Sequence, residues 1–105
     1  MNSDSVRESV RSVLDAEANS ILSLGADLPA SVETAVEWIF RCQGRVLTCG
    51  IGKSGHIARK TAGTLSSTGT PSAFLHAAEA VHGDLGMVTD KDIVILYSHS
   101  GETDE

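Results

Sequence analysis

Two short stretches of this chain hold residue types that can do chemistry together. The first, Arg45 to Gly55, reads R-V-L-T-C-G-I-G-K-S-G. An apolar run (Val46, Leu47, Cys49) ends in Gly50, Gly52 and Gly55, spaced around Lys53 and Ser54, and a helix-like pattern follows at once. Glycine lets the backbone turn through positive φ and lets a ligand approach closely. A helix start offers unpaired N–H groups and the positive end of a dipole, which together suit an anion, most often a phosphate. The second stretch, Ser98 to Thr103, reads S-H-S-G-E-T. Its hydroxyls at Ser98, Ser100 and Thr103, with Gly101 among them, surround another helix start. A helix cap, with Ser100 capping and Thr103 three residues on, uses only one of these hydroxyls. The surplus suits a ligand, although a cap and a phosphate cradle share geometry.

Known nucleotide motifs fit the first stretch poorly. Gly50, Gly52 and Gly55 satisfy G-x-G-x-x-G after a strand and before a helix, the dinucleotide pattern. The next strand, however, ends in Leu75-His76 with no acid at its tip to hold a ribose hydroxyl, and two helices precede the first strand. A Walker A loop is excluded because Leu47 stands where its first glycine belongs. The bland alternative is that the glycines only let helix and strand pack closely. Lys53, between two glycines beside the turn, reads as a functional cation more readily than as a solvated helix-start lysine. His76 at a strand end reads as structural, whereas His56 and His99 are candidates for lining a site.

These stretches need a scaffold, and the rest of the chain supplies one. Ser3 and Asp4 can cap a helix whose apolar positions Val6, Val10, Val13, Leu14, Ile21 and Leu24 recur at helical spacing, with Gly25 as its stop. A second helix follows Pro29, with Ser31 near its cap and Val32, Val36, Ile39 and Phe40 along one face; Gly44 stands as its C′ glycine. Then come the first strand, its glycine turn and a third helix over about 54–68. Pro71 to His76 is a second strand, Ala77 to Val81 a helical turn, Gly83 to Gly86 a loop, and Asp90 and Asp92 bracket a turn. Ile93 to Tyr97 (I-V-I-L-Y) is a third strand whose unbroken apolarity predicts burial on both faces. Alternating strands and helices imply an α/β fold, a parallel sheet between helical layers. Ligands in such sheets bind beyond the carboxyl ends of the strands, where both turns fall.

Composition narrows the function. The 105 residues carry a formal charge of −6, with 41% hydrophobic and 4% aromatic residues. That is the balance of a globular domain without the basic face that nucleic-acid binding requires. No run approaches a membrane span, and the polar start M-N-S-D-S-V-R-E-S lacks a signal-peptide core. The plain reading is a cytoplasmic protein that binds neither nucleic acid nor membrane. Cys42 and Cys49 imply neither a disulfide framework nor a zinc site, and Cys49 reads as a small core hydrophobe. No metal site and no cofactor are expected.

At this level of detail the chain resembles a known family. G-I-G-K-S-G-H-I-A-R-K, then S-T-G-T-P-S-A-F-L-H-A-A-E-A-V-H-G-D-L-G-M-V, then S-H-S-G-E-T are similar to the sugar isomerase (SIS) domain, and within it to the arabinose-5-phosphate isomerases. The resemblance covers about 28–105. It implies a three-layer, flavodoxin-like SIS fold, here divided into an N-terminal helical segment (1–43) and the first half of an SIS domain (44–105). It also implies an aldose–ketose isomerase that interconverts D-ribulose 5-phosphate and D-arabinose 5-phosphate, the entry to 3-deoxy-D-manno-octulosonate (KDO) and lipopolysaccharide. The family further implies a homo-oligomer, commonly a tetramer.

The resemblance also assigns residues. Gly52, Ser54, Gly55, Ser98, His99, Ser100, Gly101 and Thr103 would hold the sugar phosphate. Lys53, His82 and Glu105 match the positions used around the reacting carbons: Glu105 as base, His82 as acid–base partner on the oxygens, Lys53 as cation, with Glu105 and His82 open to exchange of roles. His99 departs from the Asn or Gln usual between these serines. Family members carry a second half of the domain, and commonly CBS-type regulatory domains, so the 105-residue chain alone is expected to be inactive. Two alternatives stand beside this reading: a phosphosugar-binding regulator without catalysis, and part of an NAD-dependent dehydrogenase.

Overall fold

A computed structural model describes residues 1–102. The chain forms two compact units, one running from Met1 to Thr34 and the other from Ala35 onward. The first unit is dominated by α1 (Ser3–Ala26), whose cap is Asn2 rather than the expected Ser3 or Asp4: its side chain accepts from the Asp4 N–H at 3.0 Å. Gly25 does not stop this helix. The helix passes through it, and the chain leaves at Asp27, whose N–H closes on the Leu24 carbonyl. The apolar positions expected along α1, from Val6 to Leu24, are exposed.

The second unit holds the sheet. After α2 (Ser31–Arg41), which begins in the first unit, come β1 (Val46–Gly50), α3 (Gly52–Ser67), β2 (Ser72–His76), the short helix α4 (Ala77–Val81), a 3₁₀ turn at Asp84–Met87, and β3 (Ile93–Tyr97). The strands are parallel in the order β2-β1-β3. Each five-residue strand pairs in step, so Gly50 lies between His76 and Tyr97. This is the three-strand parallel α/β arrangement that the sequence pattern implies. β1, central and fully buried, is the core, and its Thr48 is 0% exposed. That buried hydroxyl is satisfied by donating to the Ala58 carbonyl of α3 at 2.6 Å, as a buried polar group must be.

β3 departs from its apolar pattern. Its Ile93, Ile95 and Tyr97 are half-buried, but Val94 is 40% and Leu96 73% exposed. The strand lies at the sheet edge, and its unbroken apolarity does not translate into two covered faces among the described residues. Gly44 departs too. It lies beyond the end of α2 and has no positive φ. Its backbone N–H bonds the Lys91 carbonyl at 3.0 Å, and a Cβ there would stand 2.7 Å from that carbonyl oxygen and closer still to Asp92 Oδ1. Glycine is required by close approach of two chain segments, not by a helix cap. Asp92, its side chain 2% exposed, ties the entrances of β1 and β3 together. Oδ1 accepts from the Arg45 N–H at 2.7 Å and Oδ2 from the Thr89 N–H at 2.9 Å, with the Arg45 guanidinium 3.7 Å away. These N–H bonds, the one from Arg45 first, hold its carboxyl below the usual range.

Candidate phosphate cradle at the strand ends

At the opposite, carboxyl end of the sheet the chain leaves β1 and enters α3 within two residues. The crossing is possible because two glycines face each other. A Cβ on Gly50 would stand 2.8 Å from the Ser54 carbonyl carbon and oxygen, and one on Gly55 2.9 Å from the Gly50 carbonyl oxygen. Gly52 takes the positive φ of 57° that the turn needs. The first turn of α3 therefore sits against the tip of the central strand. Its cap residue, Ile51, supplies no side-chain hydrogen bond, and no acid stands in that turn. The opening N–H groups of the helix are thus left for an external acceptor.

Beyond β3 the second stretch forms a tight turn. Ser98 Oγ accepts from the Gly101 N–H at 2.8 Å and Ser100 Oγ from the Glu102 N–H at 3.1 Å, with Gly101 at a φ of 71°. Both hydroxyls thus order the backbone of their own turn, the cap-like geometry that serine favours. A cavity of about 580 Å³ opens between this turn and the β1–α3 crossing, lined by Ser54, Ser98, His99, Ser100 and Gly101 together with backbone and apolar walls.

Of the residues singled out in the sequence, those five and Gly50 line the cavity. Gly52 and Gly55 shape the crossing without lining it. Lys53, in the first turn of α3, and His82, closing α4, are exposed and are not part of its wall. Thr103 and Glu105 lie outside the described residues. His76 caps α4, its Nδ1 accepting from the Ala78 N–H at 3.2 Å, and stacks edge-on to Phe74. Sequence reasoning missed the other walls: Cys49, Ile51, Ala77, Leu96 and Tyr97. Cys49 reads as core along the chain, and it is buried, with desolvation raising its thiol pKa. Tyr97 carries a signal of its own, as the chain's sole tyrosine standing directly before the serine turn. Among the described residues no group of three or more His, Cys, Asp or Glu is placed to hold a metal, and no helix is long and apolar enough to cross a membrane.

Residues 39–105 match the SIS domain family. The chain is 50% identical over 98 residues to the arabinose 5-phosphate isomerase KpsF of Escherichia coli, covering 92% of this chain and 31% of that protein. It is likewise 50% identical over 95 residues to the arabinose 5-phosphate isomerase KdsD of E. coli strain K12, covering 90% and 29%. The solved structure of E. coli CFT073 c3406 in complex with arabinose 5-phosphate superposes with a TM-score of 0.91 at 44% identity, covering 98% of this chain and 55% of that one. The chain thus spans about a third of the length of the curated relatives it matches.

Proposed function

We propose a function from one premise: the chain belongs to the SIS domain family. Within the whole protein that carries it, it supplies the phosphate cradle and part of the catalytic set of an isomerase that interconverts D-ribulose 5-phosphate and D-arabinose 5-phosphate on the route to KDO. That protein works in the cytoplasm as a homo-oligomer. The observation that carries this reading is the cavity where two glycine–serine turns meet at the strand ends, in a chain half identical to proteins named arabinose 5-phosphate isomerases.

The cradle's role is to hold the substrate by its phosphate. The unpaired N–H groups of α3 and the hydroxyls of Ser54, Ser98, Ser100 and Thr103 are donors of the kind a phosphate dianion takes up. The sugar's other end then lies at a fixed distance from the reacting groups. Isomerisation removes a proton from C1 of the ketose or C2 of the aldose, passes through an enediolate, and returns a proton to the neighbouring carbon. A second proton moves between O1 and O2, and nothing is oxidised or reduced overall. Glu105 serves as the carbon base and His82 as the acid–base group on the oxygens, or the two exchange roles. The Lys53 ammonium stabilises the negative oxygen electrostatically.

A second reading, a phosphosugar-binding module without turnover, draws on one observation: Lys53 and His82 do not line the cavity. The complete gene product separates the two. Glu105→Gln and His82→Ala are each expected to lower turnover by about 10²-fold or more while sugar-phosphate binding, followed by calorimetry, survives. Solvent deuterium should enter C1 or C2 most slowly in whichever variant lacks the base. Isomerisation by Glu105→Gln at the parent rate would remove Glu105 from the mechanism. Binding without exchange in the parent protein would establish the second reading.

A further inference from the structure

The two halves of the cradle stand on different elements, and one side-chain bond bridges them near the cavity. Tyr97, the last residue of β3 and half-buried, places its hydroxyl 2.9 Å from Thr61 Oγ1 on α3. The direction of this bond follows from proton counting. A threonine hydroxyl has one hydrogen, and the Thr61 hydroxyl donates it to the Ile57 carbonyl one turn back, at 2.9 Å. Tyr97 is therefore the donor and Thr61 the acceptor. The residue after Tyr97 is Ser98, which opens the serine turn, and α3 is the helix whose first turn closes the other side of the cavity.

We propose that Tyr97 is a positioning residue: its hydrogen bond to Thr61 sets the serine turn at its working distance from the start of α3, and so tunes how tightly the cradle grips a phosphate. α3 is tied to the other strands by separate devices. The Thr48 hydroxyl bonds the Ala58 carbonyl on the β1 side, and the Arg59 guanidinium stacks 4.1 Å above the Phe74 ring of β2. The edge strand has the Tyr97–Thr61 bond as its side-chain hydrogen bond to α3 among the described residues. Tyr97→Phe removes that bond and leaves no orphaned donor behind, because Thr61 keeps its own bond to Ile57. Position is thereby lost at little cost to folding.

The proposal rests on the phosphate-binding reading, so its test has one readout that does not use a ligand. In the complete gene product, Tyr97→Phe is expected to weaken pentose 5-phosphate and inorganic phosphate binding by about 3- to 10-fold, the range of one net hydrogen bond. It should raise KM by the same factor with kcat nearly unchanged. Thr61→Val should match it, the double variant should add nothing further, and Thr61→Ser should restore parent affinity. Hydrogen exchange at the Gly101 amide, which reports the serine turn directly, should quicken in Tyr97→Phe. As control, Ser66→Ala deletes a bond at the far end of α3, from Ser66 Oγ to the Ser72 carbonyl. It should lower melting temperature without moving KM. Parent-like phosphate affinity and Gly101 exchange in Tyr97→Phe would overturn the proposal, as would an equal rise in KM from Ser66→Ala. Faster Gly101 exchange in a protein that binds no sugar phosphate would instead uphold the positioning bond and overturn the phosphate-binding reading.

Discussion

The two walls of the cavity are built on opposite plans. The β1–α3 wall is backbone against backbone. Gly50 and Gly55 face each other with no room for a methyl group, and the strand behind them is fully buried. The β3 wall stands on an edge strand with Leu96 exposed. Its turn is held by its own serine hydroxyls and by one tyrosine. A wall made of close-packed backbone is expensive to perturb and admits little variation. A wall made of exposed side-chain bonds can change its residues at small cost in stability, which is the natural place for affinity and specificity to be adjusted.

The sharpest way to break this contrast is to add one carbon on the packed side. Gly50→Ala or Gly55→Ala drives a Cβ into main-chain atoms at 2.8–2.9 Å and is expected to destabilise the domain by about 1–3 kcal/mol, read from denaturant midpoints. A parent-like midpoint would mean that the crossing is looser than its geometry indicates.

On the other wall the balance should reverse. Ser98→Ala and Ser100→Ala remove hydroxyls from an exposed turn, so stability should hardly change. Sugar-phosphate binding should weaken by about 1.5–3 kcal/mol each, the worth of a hydrogen bond to a charged group. Calorimetry alongside thermal melts measures both, and unchanged affinity in both variants would remove the serine turn from the cradle.

A further consequence lies in the edge strand itself. The 105-residue chain by itself is expected to self-associate through β3, an edge strand whose Val94 and Leu96 lie on an uncovered apolar face, and to show no isomerase activity. Leu96→Lys should shift its mass by light scattering toward the monomer. A monodisperse monomer that turns over ribulose 5-phosphate would contradict this.

The smallest effect is expected far from the cavity. The Asp92 carboxyl is held below its ordinary range in the folded chain, whereas unfolded it titrates near pH ~3.9. Its contribution to stability is therefore complete above that unfolded value and is lost as pH falls through the lower folded one. Asp92→Asn should flatten the acid side of the stability profile below pH ~4. It should leave phosphate affinity at neutral pH as in the parent.

Much of this architecture is legible along the chain. The apolar run at Val46–Cys49 closed by spaced glycines, the P-S-A-F-L-H and I-V-I-L-Y runs, and the helix between them are short-range patterns, and each becomes the element its pattern implies. The glycine–serine chemistry of both turns is equally local, and six of the residues it selected share one cavity. Other features are decided across distance. Gly44 reads as a helix stop, yet its reason for being glycine is Lys91 and Asp92, which arrive only when β3 pairs with β1. Val94 and Leu96 read as core, yet strand order leaves β3 at the edge. The Tyr97–Thr61 bond joins residues 36 positions apart. Periodicity and turn propensity act over a few residues, so the sequence by itself determined the elements and the chemistry of the turns. Which faces are covered, which backbone atoms come too close for a side chain, and which hydroxyls meet depend on pairing between distant segments, and only the tertiary structure decided them.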